Sequence, residues 1–131
     1  MVKKWIVISI ISVLFIVACV VEYFFVNKSF DFLHDQLQIY QTYLDKDKEN
    51  INTKENVEFV ESLHKKWHIK VNGLKAVIWH TGIKDIEIGL SRIKNYTKEN
   101  DYKEASTELN ALIDYVQHYK EDFTLSIENL L

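Results

Sequence analysis

Residues Trp5 to Val21 read WIVISIISVLFIVACVV, seventeen positions without a charge, and after a lone Glu22 the apolar run resumes through Tyr23 to Val26. As a helix rising about 1.5 Å per residue, Trp5 to Val26 makes a rod of roughly 33 Å, against about 30 Å for the hydrocarbon core of a bilayer. A helix that is apolar on every side must be covered either by lipid or by a large protein. The remaining chain is too short to wrap it. Residues 5–26 are therefore expected to form a transmembrane helix.

Orientation follows from the flanks. Lys3 and Lys4 directly precede the span, and the positive-inside tendency keeps such residues cytoplasmic. Lys28 on the other side is offset by Asp31 and Asp35, while Tyr23, Phe24, Phe25 and Phe30 gather where interfacial aromatics belong. The expectation is a single-pass cell-membrane protein with residues 1–4 as a cytoplasmic tail and residues 27–131 as an extracytoplasmic domain. A four-residue tail carries no machinery, so any inward signal would pass through a partner. Glu22 lies about one turn from the outer boundary, where it can snorkel to water or contact another membrane protein. Three readings of the segment stay open. The first is an uncleaved signal anchor. The second is a lipoprotein lipidated at Cys19, since Ile16-Val17-Ala18-Cys19 fits a lipobox, although an apolar run and not a polar tether follows. The third, simple cleavage as a secretory signal, has only a poor small-x-small site to support it.

The rest of the 131 residues is nearly without turn punctuation: no Pro, where about 5% usage would give six or seven, and three Gly. That argues for an all-α chain. A net charge of −3 lacks the basic footprint of a nucleic-acid binder, so no nucleic acid is expected as a partner. One Cys makes no internal disulfide.

Four stripes at helical spacing follow the span. Phe30, Leu33, Leu37, Tyr40 and Leu44 mark a helix over about 29–48, with Ser29 as a candidate cap unless the anchor helix runs straight through it. Asp45 to Asn52 reads as a loop. Asn52 or Thr53 caps a long helix over about 54–80, with the repeat Val57, Val60, His64, Trp67, Val71, Leu74 and Ile78, and with Gly73 admitting a close neighbour. His80-Thr81-Gly82 reads as its stop. Ile83, Ile86, Leu90 and Ile93 mark a helix over about 83–99. Asp101 with Glu104 resembles a capping box for a helix over about 102–119, striped by Ala105, Leu109, Leu112, Val116 and Tyr119. Thr124 to Leu131 is expected to be a brief apolar tail folded back on the bundle. Short connections force antiparallel neighbours, so the fold expected is an N-terminal transmembrane helix followed by a small antiparallel four-helix bundle. Its seam also suits self-association.

Chemistry is harder to find. Glu61-x-x-His64 and Asp31-x-x-His34 have the acid-x-x-His spacing of di-iron bundles, but 19 Asp and Glu and five His in this length produce such spacings by chance. The stripes of the last two helices supply no further inward carboxylates. His64 and His68 stand one turn apart, as in zinc proteases, yet Lys65 occupies the position where those enzymes keep their general base. His80, at a helix corner near Asp85 and Glu87, suits a helix end electrostatically. His64, His68 and His80 are thus weak metal candidates, with no cofactor and no catalytic residue assigned. Glu22, Trp67 and His80 are candidate partner contacts. The basic group Lys65, Lys66 and Lys70 is balanced by Glu55, Glu58 and Glu61 and reads as a solvated face.

Several features together give the chain a wider likeness: the basic start and single span, Trp67 in a long charged helix, His80 followed by Asp85-Ile86-Glu87, Leu90-Ser91-Arg92-Ile93-Lys94, Glu104-Ala105 with Leu109-Asn110, and Asn129-Leu130-Leu131. In these the chain resembles a family of small bacterial membrane proteins known as domain of unknown function 4363. It departs from the family in carrying Trp79 where an acid would precede the His, which weakens any acid–His pair there. The resemblance implies a fold and a membrane address, and a small multi-span membrane protein as partner. The reading that follows is a non-catalytic, membrane-anchored accessory module that binds another membrane or envelope protein. The alternative is a ligand- or metal-sensing extracytoplasmic bundle.

Overall fold

The computed structural model describes residues 1–74 and 80–130. Among the described residues the chain is all helical: α1 (Val2–Lys46), α2 (Lys54–Leu74), α3 (His80–Lys98) and α4 (Tyr102–Leu130). The apolar segment and the first bundle helix are one element. No Gly or Pro interrupts Val2–Lys46, so nothing removes a backbone hydrogen bond, and 45 residues form a rod of roughly 68 Å. Ser29 does not cap: its hydroxyl donates to the Phe25 carbonyl one turn back, at 2.9 Å. Among the described residues α1 alone is long and apolar enough to cross a membrane, and none of its most apolar window is buried.

The four helices form a closed ring in which α1 packs on α2 and α4, and α3 packs on the same two. The directions follow from paired side chains. Phe30 meets Trp67 while Tyr43 meets Phe59, so α2 runs antiparallel to α1. Glu61 reaches Lys98 and His68 reaches Glu87, which turns α3 against α2. Arg92 reaches Glu108, and Tyr102, Asn110 and Lys120 bond Asp45, Gln41 and Asp31, so α4 returns antiparallel to α1.

The expected stripes supply the core. Phe30, Leu33, Leu37, Tyr40 and Leu44 of α1 are all buried, as are Ile83, Ile86, Leu90 and Ile93 of α3 and Ala105, Leu109, Leu112 and Val116 of α4. On α2 the inward set is Val60, Leu63, Trp67 and Val71. Leu63 takes the place expected for His64, which sits half-buried at the edge of the seam. Leaving an imidazole at the rim avoids the cost of burying a polar ring without a partner.

Three boundaries differ from expectation. The second helix is described to Leu74 and α3 from His80, so His80-Thr81-Gly82 is helical and not a stop; residues 75–79, with the expected Ile78 position, lie outside the described residues. Gly82 lies within α3 because α4 comes close. A Cβ there would fall 2.8 Å from Tyr119 Cζ and nearer still to Cε2. Gly89, one heptad on, faces Leu112, one heptad back along α4. Finally, α4 does not stop near residue 119 for a folded-back tail but continues to Leu130.

The end of the bundle away from the apolar segment is closed by side-chain clamps. Thr53 Oγ1 accepts the Asn56 N–H at 3.1 Å and caps α2. Asp101 Oδ1 accepts the Glu104 N–H at 3.1 Å, one half of the expected box, while the Asp101 N–H bonds the Tyr96 carbonyl at 2.9 Å. That second bond, with Asn100 N–H to the Thr97 carbonyl, is a Schellman closure of α3, and Asn100 sits at φ 58° in its left-handed position. Ile51 plugs the bundle end, fully buried. Its N–H goes to Asn100 Oδ1 at 2.8 Å and its carbonyl accepts from Asn56 Nδ2 at 3.0 Å.

Candidate functional site

A shallow groove between α2 and α3 collects the polar chemistry of the bundle, lined by Glu58, Glu61, Ser62, His64, Lys65 and His68 from α2 and by Glu87 and Lys94 from α3. The antiparallel register of the two helices brings acids of one against bases of the other. His68 Nδ1 lies 2.8 Å from Glu87 Oε1, and Lys98 Nζ lies 2.8 Å from Glu61 Oε1. Lys98 holds the Glu61 carboxyl below its ordinary pKa, first by the hydrogen bond and then by its charge. His64 is pushed below its ordinary 6.5, chiefly by burial and then by the nearby Lys94 ammonium.

These pairings decide what the groove can do. Glu61 is engaged by Lys98 and not by His64, so the acid-x-x-His spacing on α2 joins no ligand pair. Asp31 is engaged by Lys120, and His34 lies half-buried one turn further along α1. Among the described residues no group of three or more His, Cys, Asp or Glu is placed to hold a metal ion. The groove is a strip of matched charges that fastens α2 to α3, with His64 at its edge.

The remaining candidates are scattered along the molecule. Trp67, expected as a partner contact, is 0% exposed; it packs on Phe30 at 5.6 Å between ring centroids and offers no surface to a partner. Its Nε1 and the Oδ1 of Asn27 are buried without a hydrogen-bond partner. Glu22 projects from the exposed part of α1, and Cys19 is a free, half-exposed thiol in the middle of the same helix. The backbone of His80 is part of α3, and its side chain lies outside the described set. His118 faces solvent, with Nδ1–H donating to the Asp114 carbonyl at 2.7 Å. Lys65 and Lys66 are exposed as expected of a solvated face, whereas Lys70 lies over the Phe32 ring at 4.9 Å.

Sequence reasoning missed two polar features, the Tyr40–Thr97 bond and the Asn100 clamp. Thr97 follows Ile93 by one turn on the α3 stripe, so its place on the inner face was available as a signal.

The apolar part of α1 is the other functional feature, with large side chains such as Phe15 and Leu14 more than 60% exposed. Set against known proteins, residues 23–130 match the family model described as domain of unknown function (DUF4363). No curated protein and no solved structure matches the chain.

Proposed function

We propose that this chain, which belongs to the DUF4363 family, is a single-pass, non-catalytic accessory module whose helical bundle stands outside the cytoplasmic membrane and binds another membrane or envelope protein. The observation that carries the reading is the continuity of α1. One unbroken helix leads from the unburied apolar segment into the bundle core at Phe30, Leu33 and Leu37, with no hinge between them. A displacement of the bundle by a partner is therefore transmitted to the span, and the reverse also holds. Lys3 and Lys4 before the apolar run support a cytoplasmic N-terminus. The apolar helix continuing through Cys19 supports an anchor over a lipidated N-terminus.

Photocrosslinking in native membranes tests the reading, with probes at Phe15 in the apolar segment and at Ile69, 71% exposed on α2. Reproducible adducts to one other membrane protein are expected. Adducts only between copies of this chain would replace the accessory role by self-assembly, and the absence of any adduct would overturn both. A topology reporter fused after Leu131 should be active outside the cell; activity only inside would reverse the orientation.

A further inference from the structure

We infer that the C-terminal turns of α4 are a second membrane contact, lying in the interface of the same leaflet that α1 leaves. This rests on α1 spanning the bilayer, and it concerns a segment that the span itself does not include. The argument is one of register. Along the α1–α4 pair, Tyr102 meets Asp45, Asn110 meets Gln41 and Lys120 meets Asp31. Continued without change, that register sets Leu125 level with Val26 and Leu130 level with Val21, inside the apolar run of α1.

Among the described residues, α2 extends to the level of Phe25. Gly73, one residue before the described end of α2, abuts Phe25, since a Cβ there would stand 3.3 Å from Phe25 Cζ. Helix α4 runs about one turn further, to Leu130, beside α1. Helix α4 presents Leu125, 56% exposed, within two residues of the level at which α1 presents Phe24 and Phe25, 61% and 42% exposed. Three large apolar side chains so close in height, continuous with a lipid-facing helix, are covered by the bilayer interface. Glu128 is exposed and falls, by the same register, level with Tyr23, one residue from Glu22. Two carboxylates so close in height on neighbouring helices mark where water-accessible headgroups must be, because both need water or headgroup contact. The bundle therefore sits partly sunk in the headgroup layer, held at two points, and the second contact fixes its tilt about α1.

The test uses the full chain carrying Cys19→Ser, reconstituted in phosphatidylcholine–phosphatidylglycerol vesicles, with a nitroxide placed by Leu14→Cys, Ala111→Cys or Leu125→Cys. Ala111 is exposed on α4 and stands roughly 21 Å above Leu125 along the helix. Collision rates with oxygen and with a water-soluble nickel complex read the depth of each label. The expected result is a ratio of oxygen to nickel collisions several-fold higher at Leu125 than at Ala111 and below that at Leu14. A lipid-like Leu14 with Leu125 as aqueous as Ala111 would overturn this inference alone. A water-exposed Leu14 would overturn the membrane-spanning reading itself, and this inference with it.

Discussion

The Tyr40 hydroxyl and Thr97 Oγ1 lie 2.6 Å apart across the diagonal of the bundle, and Tyr40 is the donor. Thr97 has one hydroxyl proton, and it goes to the Ile93 carbonyl at 2.8 Å, which can only accept. Burial pushes the Tyr40 pKa up to about 12, so the phenol keeps its proton throughout the physiological range. Tyr40 is held from its other side by the Phe59 ring, stacked at 5.4 Å with planes 3° apart.

An asymmetry follows. Tyr40→Phe deletes the donor and leaves Thr97 bonded to Ile93, costing about 0.5–1.5 kcal/mol. Thr97→Val leaves a buried phenol donor unsatisfied, costing about 1–3 kcal/mol. The double substitution should cost less than the sum, because the second change removes the group that the first left stranded. Denaturation of the full chain in detergent micelles reads all three; equal single costs that add would contradict the donor assignment.

Asn100 does two jobs, a left-handed backbone at φ 58° and a side-chain clamp on Ile51 N–H and the Glu49 carbonyl. Asn100→Gly keeps the backbone and loses the clamp, for a loss of about 1–2 kcal/mol. Asn100→Ala loses the clamp and adds the left-handed penalty, about 1 kcal/mol more. Stabilities in the order wild type, Gly, Ala are expected by chemical denaturation. An Ala variant as stable as the Gly variant would show that the backbone at this position has relaxed.

Ile51 explains why this end of the bundle was less legible than its stripes. The stripes of α1, α3 and α4 were readable because helical spacing states which face is inward, and Phe30, Leu37, Leu44, Ile86, Ile93 and Leu109 are all buried on it. A single Ile among Asp, Lys, Glu and Asn has no period, so its burial is decided by the three helix ends that meet around it. Gly82 was misread for a related reason. Its local signal is that of a helix stop, and only the approach of Tyr119 shows why a weak helix former stands inside a helix. At the groove, spacing put Glu61 and His64 on one face, but it could not reveal that Lys98 from α3 would claim the carboxylate.

Gly82→Ala should therefore destabilise despite the better helix propensity of Ala. The Tyr119 ring cannot swing away freely, because it packs on Phe30 at 5.2 Å and on Tyr115 at 6.2 Å. Overpacking of this kind costs about 1–3 kcal/mol, against a propensity gain of up to about 1 kcal/mol. Gly89→Ala meets the end of the flexible Leu112 side chain at 3.1 Å and should be much milder. Thermal unfolding of both variants checks this. Tyr119→Leu in the Gly82→Ala background should recover part of the loss, and no recovery would mean that the ring is not the obstacle.

His64 supplies the pH dependence. Its folded-state pKa is lowered from 6.5 by burial first and by Lys94 second, with Glu87 opposing, so the folded protein favours the neutral ring. The unfolded chain then binds more protons than the folded one between the folded pKa and 6.5, and stability rises with pH across that window. Acidification below 6.5 should erode stability until the folded pKa is passed, after which this contribution stays flat. Glu61 acts in the same direction at lower pH: its pKa, lowered from 4.5, adds stability that disappears as pH falls through the carboxylate range. The two are separable by substitution. His64→Gln should remove the upper part of the slope and leave the lower part, while Lys94→Ala should move the His64 midpoint upward toward 6.5 in an NMR titration of the imidazole. A His64 midpoint at or above 6.5 in the intact protein would show that the ring is more open to water than its half-buried place beside Leu63 requires.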